Sequence, residues 1–399
     1  MTSQLILANG HGIALASDSA VTMGHRTFET SEKIYPLGLP HRLAVLHSGN
    51  VMFHGLPHGT LVNEWIRSLG DVQLRSVSLY RENFLSWITD NLHHWTNESE
   101  LTIDLVRAFR FDFERIWEIL KTLDDPQNVD QVKSVWTSEL KDINEDDASS
   151  TEGRKRAIRT FDRLWNLETS KSLREVYSYW FDDVATSSDI DEIAKEYMIA
   201  SIENRYPFST ESYSQLVFVG YGSTDMVARS SDLFLYGAID GIIKYGDGFT
   251  SVAQREGAGV WLIKPSGQYD AIDLVFRGFD SRFIQATKSA AKKAVENTAT
   301  SPSSEDPLEN YMNKIDVAIE DTFYNFSEET RLSGLRRAVM GMPLATLARI
   351  SKSLIDVQRL SLEIAGKLQS VGGQVDVGVI TLKDGFRWVR QKDFGDEVE

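Results

Sequence analysis

Hydrophobic and polar positions change their period several times along the chain. The first fifty residues hold short unbroken apolar runs: Leu5-Ile6-Leu7-Ala8, Ile13-Ala14-Leu15-Ala16 and Leu43-Ala44-Val45-Leu46, with Lys33-Ile34-Tyr35 opening another. Runs of this length predict strands covered on both faces. Asn9-Gly10-His11-Gly12 between the first two predicts a hairpin, because Asn-Gly accepts the left-handed backbone of a tight turn. The period then becomes helical. Leu61, Val62, Trp65, Ile66 and Leu69 share one face, with Thr60 at the N-cap position. Residues 77–95 repeat the pattern through Leu79, Phe84, Trp87, Ile88 and Leu92, and 101–123 and 160–180 are amphipathic. The acidic, small-residue stretch 142–153 reads as an exposed loop. Strands resume at 215–219, 233–236 and 241–244. Helices follow at 282–297, 308–326 and 343–368, with Ser301-Pro302-Ser303-Ser304 as a linker. Strands 375–382 and 386–390 close the chain around Lys383-Asp384-Gly385.

Strands, helices, strands, helices, strands is an α+β order that a pair of sheets flanked by helices, αββα, would satisfy. The C-terminal hairpin can rejoin the N-terminal strands. The predicted division is 1–99 and 213–399 as two parts of one fold, with 100–212 as a helical insertion. Length and charge narrow the classes further. The chain has 399 residues and a net charge of −16, a poor field for nucleic acid or an anionic membrane. It has no cysteine, which excludes disulfides, thiolate metal sites and a cysteine nucleophile. No run approaches the ~18 apolar residues of a membrane span, and Met1-Thr2-Ser3-Gln4 opens no secretory signal. A cytoplasmic protein is expected.

Candidate chemistry gathers at the N-terminus. Removal of Met1 would leave Thr2 with a free α-amine beside its own hydroxyl, a nucleophile and a base in one residue. The amine titrates near ~7.7–8.0, so part of it is neutral at cellular pH. The strand from Thr2 turns at Gly10 and returns to Ser17-Asp18-Ser19, which places Asp18 near the strand's start. Lys33 opens the next strand. Ser48-Gly49-Asn50 ends the fourth, where a glycine lets backbone N–H groups face a substrate carbonyl.

These stretches resemble a known family. GIALASDSAVT at 12–22, then Lys33-Ile34-Tyr35, then AVLHSGN at 44–50 look like the opening of proteasome β-subunits and of the bacterial HslV peptidase. Gly372-Gly373-Gln374-Val375-Asp376-Val377 and Lys383-Asp384-Gly385-Phe386 resemble the end of that fold. Val219-Gly220-Tyr221-Gly222 and the stretch 235–241 are similar to its central hairpin. The resemblance covers about 1–95, 213–300 and 340–392, and the stretch 100–212 has no counterpart. It implies a four-layer αββα sandwich of the N-terminal-nucleophile (Ntn) hydrolases, carrying a large helical insertion, and a threonine protease needing no cofactor or metal. Thr2 would be the nucleophile, Asp18 and Lys33 its charge pair, and the Gly49 N–H the oxyanion donor. The family's supporting Asp and Ser fall on Leu368 and Val371, with Ser370 one place away as a substitute. Another supporting serine would be Ser251 in Gly248-Phe249-Thr250-Ser251, and Gly372 and Gly373 complete the set.

The same residues leave other readings open: a non-peptidase amidase acting on a small substrate, or a catalytically silent scaffold. The proton acceptor is either the Thr2 amine or Lys33. The partners expected are a peptide or small amide substrate and a homo-oligomeric ring, with any unfoldase partner left open, and neither nucleic acid nor membrane. The insertion is expected to pack on the helices of 60–95 and to restrict the entrance. His54-x3-His58 has metal-ligand spacing but encloses Pro57 and lacks a third ligand, so surface or interface histidines are expected. His93-His94 reads as an exposed helix edge, and Lys288, Lys292 and Lys293 as a solvated face.

Overall fold

In the computed structural model the hairpin expected across 9–12 joins strand β1 (Ser3–Asn9) to β2 (Gly12–Ser17), but Asn9 ends β1 and the turn residues are Gly10 and His11, without the left-handed backbone expected of Asn-Gly. The structure describes residues 2–23, 26–28, 31–95, 98–123, 125, 127–144, 151–166, 172–181, 184, 187–203, 213–239, 242–279, 281–298, 308–366 and 371–392. Short strands β3 (Val21–Met23), β4 (Arg26–Phe28) and β5 (Ile34–Pro36) lead to β6 (Arg42–Gly49). A small ladder follows, β7 (Met52–Phe53) with β8 (Leu56–Pro57). Helices α1 (His58–Leu69), α2 (Val77–Trp95), α3 (Glu98–Lys121), α4 (Val129–Asn144), α5 (Thr151–Trp165), α6 (Leu173–Phe181) and α7 (Ser188–Glu203) come next. Then come β9 (Ser214–Tyr221), β10 (Arg229–Ile239), β11 (Ile242–Val252), β12 (Gln254–Glu256) and β13 (Gly259–Gly267). Helices α8 (Asp270–Arg277), α9 (Ser281–Thr298) and α10 (Leu308–Ser327) precede a π-helical turn at Glu328–Leu332. They are followed by α11 (Ser333–Gly341) and α12 (Leu344–Ile364), and last by β14 (Asp376–Thr381) and β15 (Gly385–Arg390).

The architecture is mixed α/β with antiparallel sheets. One sheet runs β12-β13-β1-β2-β14-β15 and the other β11-β10-β9-β6-β5. Alternation along each strand sorts the side chains. Ile6, Ala8, Ile13 and Leu15 of the first sheet meet Ala44, Leu46, Val217 and Val219 of the second. Leu5, Leu7, Ala14 and Ala16 point the other way, onto Ile272 and Phe276 of α8 and Leu347 and Ile355 of α12. Leu43, Val45, Leu216 and Phe218 bury against Trp65 of α1 and Phe84 and Ile88 of α2. This two-sided burial explains why the strands read as unbroken apolar runs. Each large apolar side chain so buried contributes roughly 1.5–3 kcal/mol.

Helices α3 to α7 enclose a separate core, with Phe113, Trp136, Phe161, Phe181 and Tyr197 at its centre. This lobe meets the rest of the chain at the β10–β11 edge. Helix α3 lies along β10, and the buried Lys244 of β11 donates to the carbonyls of Ser201 (3.1 Å) and Ile202 (2.7 Å) near the end of α7. The expectation that it would pack on the helices of 60–95 is corrected accordingly, because Lys244 supplies donors that the carbonyls at a helix C-terminus otherwise lack.

Other expectations shift locally. Helix α1 begins at His58, so Thr60 lies inside it, and Pro57 at the N-cap offers no side-chain bond. Leu79 is exposed, and Val77 and Tyr80 take the buried face of α2. In 142–153, residues 142–144 and 151–153 extend α4 and α5, and 145–150 lie outside the described residues. Lys288 and Lys292 pair with Glu320 and Asp316 and tie α9 to α10; Lys292 is 41% exposed and Lys293 is exposed, while Lys288 is largely covered. No helix among the described residues is long and apolar enough to cross a membrane.

Candidate active site

The β1–β2 hairpin sets Gln4 opposite Ser17, which carries Asp18 back beside the start of β1. Ser3 N donates to Asp18 Oδ1 at 2.9 Å, and Asp18 N donates to Ser3 O at 3.2 Å. Lys33 precedes β5 in the other sheet, where its carbonyl accepts from His47 N at 3.0 Å. Its ammonium crosses between the sheets to Asp18 Oδ1 at 3.0 Å and to Ala20 O at 2.6 Å. The second carboxylate oxygen accepts from Ala20 N at 3.3 Å and Gly372 N at 3.2 Å. Gly372 O accepts in return from Ser19 N and Ala20 N. Asp18 thus has four donors drawn from four places in the sequence. Both charged side chains are buried, at 1% and 2% exposure. Burial pulls the Lys33 amine below the ordinary lysine range. Asp18 opposes that shift, Lys392 adds to it and Asp376 opposes it more weakly.

Thr2 is buried and its carbonyl accepts from Gln268 N at 2.6 Å. This contact needs Gly267. Its φ is +71°, and a Cβ there would stand 2.1 Å from Thr2 O and 3.7 Å from Ser48 Cβ. The ends of β1, β13 and β6 therefore converge. Gly49 closes β6 with φ +89°, and a Cβ on it would stand 2.2 Å from Tyr213 O. Only glycine fits, and it leaves Gly49 and Asn50 exposed beside the buried Thr2. Between the sheets, Ser48 and Ser266 hydroxyls donate to Gln215 Oε1, and Gln215 Nε2 donates to Asp232, which Lys264 neutralises at 2.6 Å.

Thr2, Asp18, Lys33, Gly49 and Gly372 are brought to one end of the paired sheets. Gly373, with φ +70°, offers its carbonyl to Arg359 of α12 at 3.3 Å and anchors the same segment. Ser251 is not brought there. It pairs with Ser230, which pairs with Val219, which pairs with Ala44. That row lies five residues up β6 from Gly49, roughly 17 Å along the strand. Ser370 lies outside the described residues.

The histidines differ from the surface reading. His54 and His58 are buried. His58 Nε2 lies 2.7 Å from Ser214 Oγ, and its ring stacks on His47 at 4.6 Å. His47 Nε2 donates to Asn50 O at 2.7 Å, and because a carbonyl only accepts, that nitrogen carries the proton. Burial holds His47 down at about 4 and His58 well below its ordinary value. Position 47 points to α1 because the strand alternates, which a run of apolar letters ending in His-Ser-Gly does not reveal. His93 and His94 are exposed, as expected.

Sequence reasoning missed β13, and with it Gly267 and Gln268. Pro265 argues against a strand. It is tolerated because β12 pairs only with residues 259–261, so at Pro265 the strand has a partner on the β1 side alone. The signal available was the 257–259 turn followed by Val260, Leu262 and Ile263.

No family model matches the chain, and no curated protein matches it. Solved structures do. An Anbu (ancestral beta-subunit) from Yersinia bercovieri has a TM-score of 0.30 and 10% identity over 98% of this chain and 88% of that one. An Anbu (Gly-1) mutant from Hyphomicrobium sp. strain MC1 has a TM-score of 0.30 and 11% identity, over 98% and 86%. A second Anbu structure from that strain has 0.29 and 11%, over the same shares. The resemblance to proteasome β-subunits and HslV is corrected by these findings: no family model supports it, and these neighbours are Anbu proteins at low similarity. Similarity at this level assigns neither family nor activity.

Proposed function

We propose that the chain is a threonine-type amide hydrolase whose nucleophile is Thr2, freed by cleavage of the bond before it. One observation carries this reading: Asp18 Oδ1 accepts from both Ser3 N and Lys33 Nζ, which sets a buried lysine one residue from Thr2. A neutral Lys33 gives one N–H to Asp18 and one to Ala20 O, and its lone pair remains for the Thr2 hydroxyl proton. Its lowered pKa favours that form. Thr2 Oγ then bonds to the amide carbon, and the Gly49 N–H receives the oxyanion, a contact whose loss costs ~10²–10³ in rate. Lys33 returns the proton to the departing nitrogen as the C–N bond breaks. Water, deprotonated by the same amine, attacks the ester carbon, and the proton passes to Thr2 Oγ as the C–O bond breaks and the acid departs.

The fold reading that goes with it is a four-layer αββα sandwich. Pairing of β9 with β6 and of β14 with β2 supports 1–99 and 213–399 as one unit interrupted by 100–212. The lobe sits on the edge strand at the Gly49 end, since Gly49, Ser214, Leu235 and Tyr245 lie in one row and Lys244 is next to it. We read the lobe as one wall of the entrance for a peptide or small amide.

Thr2→Ala removes the oxygen and leaves the hairpin intact. It should abolish both amide hydrolysis and the mass increase from a threonine-directed electrophile, while Thr2→Ser keeps part of each. N-terminal sequencing should begin at Thr2. Undiminished hydrolysis by folded Thr2→Ala would place the chemistry elsewhere.

A further inference from the structure

A second buried ion pair stands behind Lys33, and the chemistry above does not use it. Asp376 opens β14 in register with Ser17, the residue before Asp18. Lys392, two residues past β15, folds back on it. Its backbone N donates to Asp376 Oδ1 at 2.8 Å and its Nζ to Oδ2 at 3.0 Å. The same Nζ donates to Ser31 O at 2.6 Å. Both side chains are 3% exposed. Ser31 N donates to Ser19 O at 3.0 Å. The segment leading into Lys33 is therefore held on one side by the Asp18 turn and on the other by Lys392. A buried pair is a weak source of stability, because desolvating two charges roughly offsets their attraction. Two such pairs side by side call for another reason.

We infer that Asp376 and Lys392 are positioning residues for Lys33: they fix the 31–33 backbone, and their opposite charges balance each other's effect on its amine. The inference rests on Lys33 being the proton acceptor proposed above. Among the described residues, the charged and titratable groups facing Lys33 are Asp18 at the end of β2, Asp376 and Lys392 from the C-terminal hairpin, and His47 on β6; cleavage before Thr2 adds its α-amine in every variant alike. The two carboxylates favour the ammonium, and Lys392 and burial favour the amine. His47 stays neutral above about pH 4 and takes no part. With both members present the second pair is neutral as a whole. Without Lys392 a negative charge remains, and without Asp376 a positive one. Removing both restores neutrality. A purely structural clamp would behave differently, since either single break would loosen the same segment and move Lys33 the same way, toward an ordinary solvated lysine.

The test is an NMR titration of the full chain with isotope-labelled lysine, the Lys33 signal being assigned by its loss in Lys33→Arg. Lys392→Met should raise the Lys33 midpoint and Asp376→Asn should lower it, each by about half a unit or more. The double variant should fall between them, near wild type. If Lys392→Met does not fold, Lys392→Gln keeps a donor for Ser31 O without the charge and carries the same expectation. Displacement of both single variants in one direction, or of neither, would overturn the inference. The readout is titration and not turnover. A protein that hydrolyses nothing would remove the proposed function and leave this result to stand or fall by itself.

Discussion

Asp18 and Asp112 are both buried carboxylates, one between the sheets and one inside the helical lobe, and their partners differ in kind. Asp18 is held by the amides of Ser3, Ala20 and Gly372 and by Lys33, which is itself 2% exposed. Asp112 on α3 is held by the Tyr197 hydroxyl and by Arg115 one turn away, at 3.4 Å. Arg115 is half in water and also grips Glu139 of α4. Burial pushes Asp112 up to about 6, against the pull of Tyr197 and Arg115. The lobe thus tolerates a charge that water and protonation can relieve. The site between the sheets lies away from water, and its carboxylate is satisfied by backbone amides from distant segments together with Lys33. A closed arrangement of that kind beside Thr2 suits proton transfer, whereas the lobe's network ties helices together.

The sharpest way to break this contrast is Lys33→Met. It leaves Asp18 buried with amides alone, and removal of one partner of a buried pair typically costs about 3–5 kcal/mol. Urea melts should show that loss, and hydrolysis, if the proposed function holds, should fall to background. A Lys33→Met protein as stable as wild type would mean that Asp18 is relieved by water or protonation after all, and the two sites would be alike.

The next effect is on pH, and its sign differs between the regions. His47 has its pKa lowered from 6.5 to about 4 by burial. The unfolded chain therefore binds the extra proton between these values, and stability falls as pH drops from 6.5 toward 4. Asp112 is raised from 3.8 to about 6. There the folded state binds the extra proton, so its contribution is complete below 3.8 and is lost as pH rises through 6. Each shift corresponds to about 3 kcal/mol. Subtracting the stability curve of His47→Gln from that of wild type isolates the first, and Asp112→Asn isolates the second. Difference curves of equal sign would contradict the assignment of either group.

The same contrast explains what was legible in the sequence. The lobe announces its helices through apolar spacing, because a helix buries one stripe and repeats it. Its docking left no such trace, since Lys244 and not the α1–α2 face receives the end of α7. That Thr2, Asp18, Lys33 and Gly49 meet at one end of the sheets was legible because hairpin arithmetic and a strand-ending glycine carry their own signals. The contributions of Gly267, Gln268 and Lys392 were not. Their roles come from a strand disguised by Pro265 and from a residue that acts from the far end of the chain, and neither leaves a periodic trace. Ser251 looked plausible only because distance along a strand cannot be judged without the register, and that register sets it on a different row from Gly49.

The smallest effect expected is that of Arg115→Met. The guanidinium is 49% exposed, so its attraction to Asp112 and Glu139 is partly screened. Asp112 can protonate, its pKa already standing at about 6 before the cation is removed. Glu139 is itself buried, so most of the loss should come from its pair with the guanidinium. With only the cation half in water, the loss should be about 1–2 kcal/mol, below the roughly 3–5 of a pair buried at both ends. The methionine retains the aliphatic stem, so packing along α3 changes little. Hydrogen exchange should therefore show a loss of about that size confined to α3, α4 and α7, with the amides of β1 and β2 unchanged and any hydrolysis by Thr2 intact. A loss that reached the β1–β2 amides would show that the lobe and the site unfold as one unit, and the two buried acids could no longer be treated as independent.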